Sequence, residues 1–295
     1  MKILTEASGS LTSGYLSKAI REAGHQAVGS DVTELTAWPC LSDEFIIFPS
    51  KNDPDLWEKV EHLLVSHSID AVIPSFDEML VGWASRIEYF AERNIHILTS
   101  PKETIKTFQD KWDTYLFFKK IGVPTPKSSL QQEYPLVKPR FGRGSAGVEI
   151  TDKKINMEAM ISQEVADGVE YSVDCFFDRD SNPIYIVPRK RIDIRSGKST
   201  KGVTEHVEII AQNIVKIAQN IPLRGPINVQ CFIHQGQASF IEINPRVAGG
   251  MALGFAATEN WVPIMIDNLL HSKPLEPKDI KWGLTMVRYY AECFY

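Results

Sequence analysis

Glu242, Asn244 and Arg246, in the run Glu242-Ile243-Asn244-Pro245-Arg246, are the residues best suited to chemistry in this chain. Side chains alternate along a strand, so the carboxylate and the amide two positions on project from one face. The run ends INVQCFIHQGQASFIEINPR, two alternating segments around Gly236 that predict a hairpin. A three-residue loop, Gln235-Gly236-Gln237, sets Gln230 across from Glu242 and Asn228 across from Asn244. These four form a polar face backed by Val229, Cys231, Ile241 and Ile243. A two-residue loop sets Gln230 opposite Ile241 and mixes polar with apolar residues on both faces, which burial of one face disfavours. Amides with one carboxylate are a hard oxygen ligand set, the kind magnesium takes when nucleotide phosphates complete its shell. Arg246 follows on a proline turn, where a guanidinium beside a metal-bound phosphate can stabilise charge developing in phosphoryl transfer.

Three further segments carry chemical potential. The strand-like PLVKP ends in Lys138-Pro139 and runs into RFGRGSAGV, with Gly142, Gly144 and Gly147 flanked by Arg140 and Arg143. Glycines let backbone N–H groups approach an oxyanion, and a lysine supplies a point charge. By itself the segment also describes a flexible hairpin tip, and the GK[ST] ending of a P-loop is missing. In ISQEVADGVEYSVDCFF, Gln163-Glu164-Val165 end a short strand, Asp167-Gly168 turn, and a second strand carries Glu170. An extended edge can pair with an adenine through its backbone, and Glu170 can accept from both ribose hydroxyls; a solvated hairpin is the alternative. The stretch VPRKRIDIRSGKSTKG holds Arg189, Lys190, Arg191, Arg195, Lys198 and Lys201. Arginine forks a carboxylate with two hydrogen bonds, so Arg191 first and Arg189 second are the expected contacts to an anionic substrate, against a plain solvated loop.

The elements that must position these residues fall into two parts. From Lys2 to about Leu98 short apolar runs alternate with helical stretches: KILT, TSGYLSKAIREAG, QAVGSDV, EFIIFPS, DLWEKVEHLLVSH, DAVIPSF, then NIHIL after a long helix. This is a βαβ series with a parallel sheet. Its first turn, Ala7-Ser8-Gly9-Ser10 leading to Gly14, lacks the full G-x-G-x-x-G spacing of a dinucleotide site. Ser100-Pro101 opens a second part, with the serine as a helix cap. The helix DKWDTYLFFKKIG then ends on Gly122.

Composition narrows the function classes. A chain of 295 residues, 43% hydrophobic and 23% charged, with a formal charge of −5, has room for two domains and is no phosphate-backbone binder, so nucleic acid is not expected as a partner. The start MKILTEASGS supports neither a signal peptide nor a membrane span, which predicts a cytoplasmic protein without membrane contact. Cys40, Cys175, Cys231 and Cys293 are scattered and read as buried free thiols. His62 and His67, five apart, do not share a helix face, so no histidine metal site is expected. The C-terminal Tyr289, Tyr290, Phe294 and Tyr295 are expected to pack on the core.

In this order, Lys111, VKP with its glycine-rich loop, the Gln163 to Glu170 hinge and EINPR resemble the ATP-grasp superfamily of ligases, in particular the branch related to carbamoyl-phosphate synthetase large subunits. The match covers nearly the whole chain. It implies a mixed α/β and α+β fold: a Rossmann-like pre-ATP-grasp domain over residues 1–100, then an ATP-grasp domain over 101–295. The nucleotide lid lobe would span about 124–175 and the metal and substrate lobe about 176–295. By this resemblance Lys111, Lys138, Arg143 and Gly144 meet the ATP phosphates, Gln163, Glu164 and Val165 the adenine, and Glu170 the ribose. Gln230, Glu242 and Asn244 match the ligands of magnesium, which manganese could replace, although an acid is common at the position of Gln230. Arg246 and Lys138 match the catalytic charges, with Arg189, Arg191 and Arg246 toward the substrate. The implied activity is an ATP-dependent carboxylate–amine ligase working through an acyl phosphate, on small-molecule acid and amine substrates, with a homodimer as one allowed arrangement. An ATP-grasp kinase, carbamoyl-phosphate-type synthesis and a non-catalytic nucleotide-binding regulator are the competing readings.

Overall fold

The computed structural model describes residues 1–195, 198–289 and 291–295, and the side chains of 193–199 are outside the described set. The side chains of Arg195 and Lys198 in the basic stretch, and Tyr290, therefore lie outside the described residues.

The N-terminal βαβ pattern folds as the alternation requires. Strands β1 (Lys2–Thr5), β2 (Gln26–Asp31), β3 (Glu44–Ile47), β4 (Ala71–Ile73) and β5 (His96–Ile97) form one parallel sheet in the order β3-β2-β1-β4-β5. Both faces are covered: Ile3, Ile20 and Ala27 pack on one side, Leu4, Val28, Val72 and Trp83 on the other. The long helix expected before β5 is instead three short turns, Asp77–Met79, Leu80–Ala84 and Ile87–Ala91. That break leaves Asp77 at the end of β4's loop, turned toward the rest of the chain.

The next helices, Lys102–Gln109 and Lys111–Ile121, meet at Asp110, whose side chain accepts from the N–H of Trp112 and caps the second. Gly122 ends it at φ 65°, as the sequence predicts. Ser100 does not cap: Pro101 precedes the first helix, while the buried Ser100 hydroxyl donates to Arg224 O and accepts from Arg224 N, both at 3.0 Å. It ties two distant segments together.

A small sheet follows, ordered β6-β9-β7-β8, from β6 (Ser128–Ser129), β7 (Leu136–Pro139), β8 (Glu149–Ile150) and β9 (Met160–Gln163). The glycine-rich segment is the loop between the antiparallel β7 and β8. The largest sheet is antiparallel, in the order β14-β13-β10-β11-β12-β15: β10 (Val169–Phe177), β11 (Pro183–Arg195), β12 (Lys198–Thr204), β13 (Gly225–His234), β14 (Gln237–Asn244) and β15 (Thr285–Val287). Thus β9 and β10 are not a hairpin, and residues 164–168 cross from one sheet to the other. Gly168 makes this crossing at φ 106°, where a Cβ would lie 2.2 Å from Ile233 O. The helix Glu208–Ala218 covers one face of the large sheet with Ile210, Ile214 and Ile217 against Val173, Cys175, Val229, Cys231 and Ile243. The opposite face looks toward the N-terminal sheet.

The cysteine expectation holds only for Cys175 and Cys231, which are buried and free; Cys40 and Cys293 are joined in a disulfide. Composition could not reveal a pair separated by 253 positions. The C-terminal aromatics also depart from expectation: Tyr289, Phe294 and Tyr295 are exposed, and the tail reaches the N-terminal part, where Tyr295 Oη donates to Glu34 O at 3.4 Å.

Candidate functional site

The β13–β14 hairpin shows how the sequence builds a polar face. Asn228 pairs with Asn244 and Gln230 with Glu242, as expected, but by another route. The loop has two residues, Gln235 and Gly236, at φ 49° and 77°, with His234 opposite Gln237. A bulge between Gln230 and Cys231 then inserts Ile241 and restores the register. Ile241 consequently leaves the apolar backing and lines the cleft with Phe232, while Val229, Cys231 and Ile243 stay in the core.

Register across the sheet extends the face. Glu242, Gln230, Ser172 and Arg189 lie in one row, and Asn244, Asn228 and Asp174 in the next. Asn244 Nδ2 donates to Glu242 Oε1 at 2.9 Å. With Gln230 opposite, these three side chains could hold one divalent cation. Among the described residues no cluster of three His, Cys, Asp or Glu side chains could hold a metal ion. One carboxylate with two amides fits a cation that arrives with polyphosphate oxygens and does not fit a self-sufficient protein cage.

A cleft of ≈ 270 Å³ runs from this face to the small sheet, lined by Lys111, Lys138, Arg143, Gly144, Gln163, Glu164, Val165, Glu170, Gln230 and Glu242. Eleven expected positions thus meet at one place, counting Arg191. Lys138 is buried, and its Nζ donates to Gln163 Oε1 at 2.7 Å; Gln163 Nε2 donates to Ser128 Oγ at 2.9 Å. Burial lowers the Lys138 pKa to about 8, opposed by the carboxylate of Glu242 and aided by the like charge of Lys111. Burial raises the pKa of Glu170, against the pull of Arg191, with which it forms an ion pair. The glycine-rich loop is held on its first side. Lys111 Nζ donates to Gly142 O at 2.8 Å, and Arg143 approaches Asp77 at 3.8 Å and Glu78 at 3.5 Å with its guanidinium over the Phe76 ring.

Glu164 turns outward: its carboxylate accepts from Lys127 N and pairs with Lys127 Nζ, so only its backbone and upper side chain border the cleft.

Arg246 forks Asp77 with Nε and Nη2, each at 2.9 Å, and Asp77 and Glu242 hold its pKa up against the downward pull of burial. Asp77 was missed because it lies 169 positions from its partner; its one signal was a polar residue just beyond the C-terminal end of a parallel strand, where such sheets place ligands. Asp174, Ser128 and Phe232 escaped notice as ordinary strand residues.

A second cavity of ≈ 810 Å³ opens from the first, sharing Arg143, Gly144, Arg191, Gln230 and Glu242, and reaches Arg189, Arg246 and the turns at 7–12 and 248–250. Here Arg189 is no free fork: Nε and Nη2 donate to the buried Asp174 at 2.5 and 2.9 Å, and Asp174 also accepts from Asn228. Lys190, on the opposite face of β11, approaches Glu205 at 3.8 Å.

Comparison with known proteins agrees with this geometry. Residues 156–290 match the family described as ATP-grasp in the biosynthetic pathway with Ter operon. The carbamoyl phosphate synthase large chain of Neisseria meningitidis is 25% identical, covering 82% of this chain and 26% of that one. The chain spans about a quarter of the length of the curated relatives it matches. The biotin carboxylase domain of Hydrogenobacter thermophilus 2-oxoglutarate carboxylase, solved with ADP, its magnesium salt and bicarbonate, superposes with a TM-score of 0.76 at 17% identity, covering 96% of this chain and 73% of that one. The L-amino acid ligase of Bacillus licheniformis gives 0.71 at 16% identity, covering 94% and 75%. No helix among the described residues is long and apolar enough to cross a membrane. With an ATP-grasp family match over residues 156–290 and these structural neighbours, the chain shares the ATP-grasp fold and is similar in sequence to the carbamoyl phosphate synthase large chain.

Proposed function

We propose that this protein is a magnesium- and ATP-dependent ligase that activates a carboxylate as an acyl phosphate and transfers the acyl group to an amine, releasing ADP and phosphate. The observation that carries this reading is the junction of two cavities at Glu242: one lined by the basic loop and hinge residues, the other by Arg246 and the sheet face. Adenine fits the Gln163–Val165 segment beside Ile241 and Phe232, ribose fits Glu170, and the phosphates fit Lys111, Lys138 and the loop from Gly142 to Gly144. Gln230, Glu242 and Asn244 would hold magnesium, whose charge neutralises the phosphates when bound. A second cavity at the phosphate end favours transfer to another substrate over simple hydrolysis.

The chain's own residues contribute position and charge. Lys138 is fixed by Gln163 and Arg246 by Asp77, so neither needs to reorganise as charge shifts toward the leaving phosphate. Closure of the 140–148 loop would keep water from a hydrolysable acyl phosphate. On this reading residues 1–100 are a Rossmann-like pre-ATP-grasp domain supplying Asp77, and 101–295 the ATP-grasp domain, with its lid lobe at about 124–175 and its metal and substrate lobe at about 176–295. The protein would act in the cytoplasm.

Purified protein with MgATP and a pool of organic acids and amines tests this. Phosphate release that requires both an acid and an amine supports the ligase. A stable phosphorylated product would assign a kinase, and bicarbonate-stimulated ATP hydrolysis without added acid would assign carbamoyl-phosphate-type chemistry.

A further inference from the structure

Around Arg189 and the Gly249–Gly250 turn, which line the larger cavity, there are more cationic donors than the protein itself uses. Arg189 is 2% exposed and lines the cavity; two of its nitrogens meet Asp174, but the buried Nη1 has no acceptor. A second guanidinium stands close by. Arg288, just past β15, donates from Nη2 to the carbonyl of Gly249, while its buried Nε has no acceptor and no carboxylate pairs with it among the described residues. The two converge on one turn, since a Cβ built on Gly250 would lie 2.8 Å from both Nη1 and Nη2 of Arg189. Burial lowers the Arg288 pKa, and although Tyr15 opposes this, the like charge of Arg189 adds to it. Two neighbouring cations with buried, unsatisfied N–H groups favour an anion between or beside them.

Place in the sheet says which anion. Glu242, Gln230, Ser172 and Arg189 are one register row on β14, β13, β10 and β11, three strand intervals long. At about 4.8 Å per interval, the backbones of Glu242 and Arg189 are about 14 Å apart. A group held beside Arg189 is therefore set apart along the sheet from phosphates bound at Glu242. Both ends belong to one cavity, so one substrate can span them.

We propose that Arg189 and Arg288, at the Gly249–Gly250 turn, bind a second acidic group of the acid substrate, so that the preferred substrate is a dianionic acid with its anions separated by a few carbons. This rests on the ligase reading for the identity of the reacting end, while the anion subsite itself stands on the two arginines. A carboxylate or a phosphate ester could supply the second anion, because both offer oxygens that accept hydrogen bonds from a guanidinium edge.

The test uses the full chain saturated with magnesium and a non-hydrolysable ATP analogue, which occupies the nucleotide cleft. Melting temperature is followed against succinate, glutarate, adipate and 3-phosphoglycerate, and against butyrate and valerate at equal ionic strength. Dianions should raise the melting temperature at concentrations where monoanions do not. Arg288→Gln should weaken dianion binding by about ten- to a hundredfold, the scale of one charge-assisted contact. Arg288→Lys, which keeps the charge and loses Nε, should fall between, and Gly250→Ala should weaken binding through displacement of Arg189. Nucleotide affinity measured on each variant reports folding. Preference among the two classes of dianion separates a carboxylate from a phosphate ester. Equal protection by monoanions, or dianion binding unchanged in both Arg288 variants, overturns the proposal. If dianions bind in an Arg288-dependent way yet no acid and amine stimulate ADP release, the subsite stands and the ligase reading fails.

Discussion

Lys138 offers a quantitative handle on the nucleotide site. Its folded pKa is about 8, against an ordinary value of 10.5. At pH 7 about 90% of the free protein carries the ammonium, and at pH 9 about 10%. A polyphosphate beside Nζ favours the charged form and returns the pKa toward 10.5, so binding takes up a proton. The dissociation constant for MgADP should then rise about tenfold from pH 7 to pH 9. Without nucleotide the sign is opposite for the fold. Between about 8 and 10.5 the unfolded chain holds a proton that the folded lysine has released, so this group adds stability as pH rises through that window. Calorimetric titration of MgADP at pH 7, 8 and 9, in two buffers of different ionisation enthalpy, gives both the affinity and the proton count. Lys138→Met should bind more weakly at pH 7 and lose the slope. A flat affinity in the native protein, or the same slope in the methionine variant, would refute the reasoning.

Three other outcomes follow from the packing. Gly168→Ala puts a Cβ 2.2 Å from Ile233 O at a positive φ, so the crossing between the two sheets must shift; a loss of on the order of 2 kcal/mol in urea unfolding is expected, and unchanged stability would contradict the described turn. The Cys40–Cys293 bond closes 253 positions, which sets a chain-entropy stabilisation of about 5.5 kcal/mol as an upper bound; a reductant should lower the melting temperature of the native protein and leave that of Cys293→Ser unchanged. Glu6 accepts from Ser75 N, Phe76 N and Trp83 Nε1, yet burial outweighs these donors and raises its pKa to about 7. Folding thus takes up a proton between pH 4.5 and about 7, so this group's contribution falls as pH rises through that window, by on the order of 3 kcal/mol; Glu6→Gln should flatten the difference in stability between pH 5 and pH 7, and a variant with the native slope would sink the assignment.

Local patterning predicted what local forces decide. The parallel sheet, the Gly122 cap, the loop after Lys138 and the pairing of Gln230 with Glu242 all follow from alternation, glycine placement and apolar spacing. The hairpin is instructive because the register at Glu242 was right for the wrong loop. A two-residue turn plus a bulge and a three-residue turn give the same pairing at that row, and nothing in the alternation distinguishes them except the side on which Ile241 falls. Long-range partners were invisible. Asp77 meets Arg246, Asp174 neutralises Arg189, Ser100 ties to Arg224, and Cys40 meets Cys293, each decided by how distant elements dock. The basic stretch shows the consequence: Arg191 and Arg189 are the expected substrate contacts, but the fold engages Arg189 with Asp174 and Arg191 with Glu170 before any ligand arrives.

The most direct test of the nucleotide site is a crystal structure of the protein with magnesium and a non-hydrolysable ATP analogue. The metal is expected on Glu242 and Asn244 beside Gln230, the base at Gln163–Val165 and the ribose at Glu170. A metal bound without Glu242, or a nucleotide seated in the turn at Ala7–Thr12, would contradict this placement.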